Sequence, residues 1–216
     1  MKGCSIMPIF ISLFLLFCIW LRYERKKSTR IHTEVMNTFI KEEKAANLAR
    51  KQDISQLDYL VIPFDRLPME ETKEETNQSF IQQVASYRDK RMVNLSALNN
   101  NELKLRYGIA HFEQLSEYEE NYYTFTKLLD EWALYLYDTS QYSKAKMVLR
   151  YAISIQSEIA NTYLTLAKTH VALMEQLELQ ELISFVKNES PIKNLSVIQT
   201  LETLSSNPHN LAGAPL

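Results

Sequence analysis

Apolar residues recur at helical spacing along most of this chain. From Gln141 to Glu158, small and apolar side chains fall three, one, three and three residues apart and so share one helix face: Ala145, Val148, Leu149, Ala152 and Ile155. The same rhythm predicts helices over 79–97, 102–117, 119–138, 141–156, 158–173, 175–187 and 191–205, separated by capping residues such as Asn101, Ser140 and Ser190. Short connections make neighbouring helices antiparallel, so the pattern predicts an all-α domain of helical hairpins over 79–205.

Three flanking segments lack this rhythm. Over 54–78, Pro63 and Pro68 push the residues before them towards extended conformations, so we expect an apolar, extended strap that packs on the helical body and ends in an acidic hinge. Residues 28–53 carry a thin apolar stripe among many charges. They are predicted to form a juxtamembrane helix, either lying on anionic headgroups or serving as a solvated spacer. Residues 206–216 are predicted to be a disordered tail.

The N-terminus carries an uncharged apolar run from residue 6 to residue 21. These 16 residues span about 24 Å as a helix, slightly short of a bilayer core, and Trp20, Arg22 and Tyr23 can extend the span into the interface. The run ends without a small-residue cleavage site, which favours a retained anchor over a cleaved signal peptide. Residues 1–27 are thus predicted to be a single transmembrane helix with a basic flank. The flank places the C-terminal domain on the cytoplasmic face of the cell membrane.

Composition narrows the possible chemistry. Only 3 glycines and 6 prolines occur, which favours helices over turn-rich β folds, and a net charge of −2 gives no reason to expect nucleic acid. Both cysteines lie in or beside the apolar run, and the four histidines have no ligand spacing. Neither a glycine-rich phosphate loop nor a G-x-S-x-G elbow is present. We therefore predict no catalytic residue, no metal, no cofactor and no small-molecule substrate, and a protein that is not an enzyme.

A register of 34 residues relates two parts of the predicted domain. In the first window its eight places hold Leu129, Trp132, Ala133, Leu136, Ala145, Leu149, Ala152 and Ser157; in the second they hold Tyr163, Leu166, Ala167, His170, Leu179, Ile183, Val186 and Pro191. Residues 126–191 thus resemble two tetratricopeptide repeats. The sequence departs from the pattern of that family at Ser157, at His170, and in the second window, which lacks the two alanines of the second helix. The whole layout is similar to small anchored membrane proteins of Gram-positive bacteria, a resemblance that implies no chemistry.

The tetratricopeptide resemblance implies a solenoid in which the first helix of each pair lines a concave, partner-binding face. In this sequence the implied binding residues are Lys127, Asp130, Leu134, Tyr137, Asn161, Leu164, Lys168 and Val171. We expect a membrane-anchored, non-catalytic adaptor that binds a protein or peptide partner. Two alternatives stay open: a structural subunit of a membrane complex, and an exported helical module released by signal cleavage.

Overall fold

The computed structural model describes residues 13–25, 36–38, 40, 41, 44, 53–192 and 194–206. Within these ranges the chain contains helices, turns and irregular segments but no β-strand, so the all-α prediction is confirmed. From residue 75 onward the helices are α1 (Glu75–Ala85), α2 (Asn100–Tyr107), α3 (Ile109–Asp138), α4 (Tyr142–Ser154), α5 (Ala160–Ala172), α6 (Gln176–Asn188) and α7 (Leu195–Ser206).

Most of the N-terminal predictions concern residues outside those that the structure describes. Residues 13–25 are helical, whereas residues 6–12 of the predicted membrane segment, most of the juxtamembrane helix and the tail from residue 207 lie outside the described residues. In the part of the chain that the structure describes, no helix combines the length and the apolar character needed to cross a bilayer.

The chain divides into two compact units. The first contains Met1–Ile54 and Leu98–Phe112, and the second contains Ser55–Ala97 and Glu113–Leu216. In the first unit, the Asn99 side chain accepts hydrogen bonds from the backbone N–H groups of Asn101 and Glu102, and the Asn99 backbone N–H donates to the Glu102 carboxylate. This capping box starts α2 two residues before the predicted cap at Asn101.

The predicted break between residues 117 and 119 is wrong. Helix α3 runs unbroken from Ile109 to Asp138, and the interruption lies instead at Gly108, with φ 83°. A residue with a Cβ adopts this backbone region only at a cost, so the single glycine of this part of the chain marks the real helix boundary.

In the second unit, a strap over residues 57–72 precedes α1 and has no regular secondary structure. Its Ile62 and Leu67 are buried, and the Leu60 N–H donates to the Met92 carbonyl at 2.9 Å. The predicted helix over 79–97 is wrong beyond Ala85, because a turn follows and residues 90–98 are non-helical. Apolar side chains of this later segment, such as Met92, are buried without a helical period.

Helices α3, α4 and α5 are each followed by a left-handed residue that is not glycine. These residues are Ser140, Gln156 and Met174, with φ of 60°, 62° and 60°. In each case the backbone N–H of the residue after the left-handed one donates to the carbonyl of the residue five positions before the donor, at 2.8 to 3.0 Å. This bond satisfies a helix-terminal carbonyl, and the chain reverses its direction there. Ser140 and Met174 are also 34 residues apart, the interval of the sequence register.

The second unit has one continuous apolar core. The first seven places of each 34-residue window are buried, with Trp132 and Tyr163 among the largest fully buried side chains. Helix α5 is buried on several sides, because it packs against α4, α6 and α7, and Thr162, Thr165 and Thr169 are also buried. This central helix supplies one wall of the candidate site.

A candidate binding groove bounded by α4, α5 and α6

Helices α4, α5 and α6 border a cavity of about 410 Å³ on the second unit. Its apolar lining comes from all three helices: Ile153 from α4, Leu166 from α5, and Leu182 and Phe185 from α6. Leu166 and Leu182 are buried, while Ile153 and Phe185 are half-buried and remain accessible from outside. The cavity therefore offers apolar surface to a ligand without opening the core.

Polar and charged side chains surround this apolar lining. Arg150, Ser154, Gln156 and Glu181 are exposed and Glu178 is half-buried. The rim thus combines one guanidinium on α4 with two carboxylates on α6. We call the cavity and its rim the α4–α6 groove.

His170 closes part of the α4–α6 groove and is only 2% exposed. Its Nδ1 lies 2.8 Å from Glu175 Oε2, and the Lys146 ammonium donates to the other carboxylate oxygen. The bond from Lys146, followed by that from His170, holds the pKa of Glu175 below its ordinary value against the opposing effect of burial. An ionised carboxylate only accepts, so His170 Nδ1 carries the proton and the ring orientation is fixed.

The turn after α5 makes this polar cluster possible. The left-handed backbone at Met174 brings Glu175 back towards α5, and the Glu175 N–H donates to the His170 carbonyl at 2.9 Å. Lys146, on α4, completes the connection. The cluster therefore fixes the positions of α4, α5 and α6 at the edge of the groove.

A second cavity of about 400 Å³ lies between the strap and the α4–α5 turn. The Tyr122 hydroxyl is its central polar group: it donates towards the carbonyls of Ile155 and Gln156, at 2.9 and 3.0 Å, and accepts from Asn94 Nδ2 at 3.2 Å. Burial first, and then the charge of Glu158, raises the pKa of Tyr122. These polar groups of the lining are therefore already hydrogen-bonded to one another.

The structure brings two of the eight predicted binding residues together. Asp130 accepts a hydrogen bond from Asn161 Nδ2 at 2.9 Å and another from Thr162 Oγ1 at 2.9 Å. Burial raises the pKa of Asp130, and the two hydrogen bonds act in the opposite direction. Asp130 and Asn161 thus join α3 to α5, which uses their polar groups within the chain.

The other predicted binding residues are dispersed along the same two helices. Lys127 is exposed and pairs with Glu131 at 3.8 Å, and the Tyr137 ring lies 5.4 Å from that of Tyr142. Half-buried positions are occupied by Leu134, Leu164, Lys168 and Val171. None of the eight lines the α4–α6 groove, so the predicted face and the groove are different surfaces.

Sequence reasoning missed the groove residues. One signal was present: His170 occupies a place of the 34-residue register that holds Leu136 in the first window, and this polar exception lies at the groove. Leu182 and Phe185 gave no comparable signal, because at helical spacing they resemble ordinary core positions.

Across the residues that the structure describes, no group of three or more His, Cys, Asp or Glu side chains could hold a metal ion. No protein-family model, no curated protein and no solved structure matches this chain.

Proposed function

We propose that this chain is a protein-interaction module that binds a short segment of a partner protein in the α4–α6 groove. The observation that carries the proposal is the composition of this groove, in which four apolar side chains lie within a rim of charged and polar groups. Interfaces gain most of their affinity from a few anchor side chains in desolvated pockets, with polar groups around them. The volume of about 410 Å³ lies at the small end of ligand sites, which suits peptide anchors.

The rim charges define the partner segment. Glu178 and Glu181 favour a basic residue beside α6, whereas Arg150 favours an acidic or carbonyl group beside α4. The complementary segment is therefore an aliphatic or aromatic anchor with a lysine or arginine on one side. Such a segment needs no reaction chemistry from the groove, in keeping with a non-catalytic adaptor.

We further propose that the apolar N-terminal segment holds the module at a membrane, with the domain on the cytoplasmic side. Residues 13–17 and 19–21 expose large apolar side chains, from Phe14 at 65% to Leu21 at 38%. A continuous apolar surface of this kind is unfavourable in water, so its exposure supports burial in lipid. Confinement to a membrane would raise the local concentration of a membrane-associated partner.

Site-specific photo-crosslinking in cells tests the groove. A photoreactive amino acid replaces Glu181 on the groove rim, and a matched variant carries it at Lys168 on the predicted α3–α5 face. We expect the Glu181 position to give a saturable adduct with one partner, and Phe185→Ala to remove it while thermal unfolding shows an intact fold. An adduct from Lys168 alone, or a Glu181 adduct that persists in Phe185→Ala, contradicts the groove assignment.

The membrane part of the proposal has a separate test. N-terminal sequencing of the protein from isolated membranes should recover residues 1–21, and protease added outside intact cells should leave the domain undigested. Loss of residues 1–21 would favour the exported module, and digestion from outside would reverse the proposed orientation.

A further inference from the structure

Three cations in the turn after α1 and in the two residues that follow it each lie over an aromatic ring. The cation-to-centroid distances are 4.5 Å for Arg88 on Phe64, 4.3 Å for Lys90 on Tyr87, and 5.3 Å for Arg91 on Tyr59. We call Arg88, Lys90 and Arg91 the cationic turn. Two of the three rings belong to the strap, so strap and turn form one surface.

The backbone of this turn is held from two sides. On one side, the Leu60 N–H donates to the Met92 carbonyl at 2.9 Å, which ties the strap to the residue after the turn. On the other side, Asn121 Nδ2 of α3 donates to the Arg91 carbonyl at 3.3 Å. The cations therefore extend from a fixed scaffold and have less conformational freedom than ordinary surface side chains.

No described residue forms a salt bridge with the three cations of this turn. Among the described residues, the recorded salt bridges involve other cations, and Arg88, Lys90 and Arg91 are all exposed. Three cations and the intervening Asp89 give residues 88–91 a net charge of +2, in a chain whose total is −2. A ring contacts one face of a guanidinium and leaves its in-plane N–H groups available to an anion.

An exposed apolar side chain lies in the same strap. Val61 is 81% exposed and stands between Tyr59 and Phe64, the two strap residues that carry Arg91 and Arg88. Cations, aromatic rings and an exposed apolar residue together are characteristic of surfaces that bind the interfacial region of a bilayer. A nucleic acid would bind the cations, but it would leave the exposure of Val61 unexplained.

We propose that the cationic turn binds the phosphate groups of anionic lipids at a bilayer surface, with Val61 entering the headgroup region. The inference rests on the proposed membrane location for the encounter with lipid. Its binding chemistry rests on the cationic turn and on the exposed Val61 beside it. Each basic residue near an anionic surface contributes to attraction, and three together shift the docked-to-undocked equilibrium by about 100-fold.

Fluorescence of the full-length chain in vesicles tests this inference. Val61→Cys carries an environment-sensitive fluorophore in a Cys4→Ser, Cys18→Ser background, and the protein is reconstituted with phosphatidylcholine alone or with added phosphatidylglycerol. We expect a blue shift only with phosphatidylglycerol, and its loss when Arg88, Lys90 and Arg91 are all changed to Gln. The matched control changes Lys127, Lys144 and Lys187 to Gln, removes the same charge, and should keep the shift.

The outcomes separate this proposal from the others. A shift that is equal without phosphatidylglycerol, or that survives in the Arg88, Lys90 and Arg91 variant, overturns the inference. So does a shift abolished by millimolar inorganic phosphate, or an oligonucleotide that outcompetes the vesicles. Should the triple variant unfold, raising salt from about 0.1 M to 1 M, which shortens the Debye length from about 10 to 3 Å, must remove the wild-type shift. Failure of the anchor appears differently, as protein that does not float with phosphatidylcholine vesicles.

Discussion

The contact between Asn77 and Trp132 provides a quantitative test of how α1 packs on α3. Asn77 is 2% exposed and its Oδ1 accepts a 2.8 Å hydrogen bond from the Trp132 indole N–H, while Trp132 itself is fully buried. The change Asn77→Ala removes the acceptor and leaves this N–H in the core without the bond. The perturbation therefore acts on one identified interaction.

The expected size follows from two opposing effects. An unsatisfied buried donor costs about 1–3 kcal/mol. Alanine is a better helix former than asparagine, which offsets about 0.5 kcal/mol in α1. We expect a net loss of about 0.5–2.5 kcal/mol in the free energy of unfolding, or a Tm lower by roughly 1–10 °C for a chain of this size.

Urea unfolding followed by fluorescence provides the assay. In a Trp20→Phe background the emission reports on Trp132 alone, because the chain has 2 tryptophans. The matched control is Gln82→Ala, an exposed change in the same helix that should leave stability within about 0.5 kcal/mol of the parent. If Asn77→Ala is as stable as Gln82→Ala, the described contact between Asn77 and Trp132 is wrong.

Three further substitutions test the polar contacts of the second unit. Burial raises the pKa of Asp130, so as pH rises from its ordinary 3.8 through the folded pKa, the wild type should lose stability relative to Asp130→Asn in urea titrations. The bond from Lys146 lowers the pKa of Glu175, so Glu175→Gln should be less stable than the wild type near neutral pH, with a difference that shrinks as pH falls below 4.5. Tyr122→Phe should lower the free energy of unfolding by about 1–3 kcal/mol, whereas Tyr123→Phe, at a 44% exposed position, should change it little. A pH-independent difference, or equal effects of the two tyrosine changes, would contradict the respective contacts.

Apolar periodicity was sufficient to predict the helices of the C-terminal half and their buried faces. It failed where the backbone, and not the side-chain pattern, sets a boundary. Nothing in the apolar rhythm showed that Gly108 would end α2, or that residues after Ala85 would bury Met92 in a non-helical segment. The left-handed residues that follow α3, α4 and α5 are also hard to foresee, because glycine is the usual signal and none is present there.

The groove could not be predicted because it depends on the packing of three helices. Phe185 and Leu182 fall at apolar positions of α6 like any core residue, and only the arrangement of α4 and α5 leaves Phe185 half-buried at an opening. The predicted face rested on the family resemblance, which assigns binding to first helices. That assignment stays a prediction, and Asp130 and Asn161 already satisfy each other within the chain.

The affinity of the crosslinked partner segment for the full-length protein is the most direct test of the central claim, that the α4–α6 groove binds a partner. Isothermal titration compares the wild type with Phe185→Ala in the groove and Lys168→Ala on the predicted face. An anchor contact contributes about 2 kcal/mol or more, so we predict that Phe185→Ala raises Kd roughly 30-fold while Lys168→Ala leaves it within about twofold. An unchanged Kd for Phe185→Ala, with a large increase for Lys168→Ala, would contradict the account.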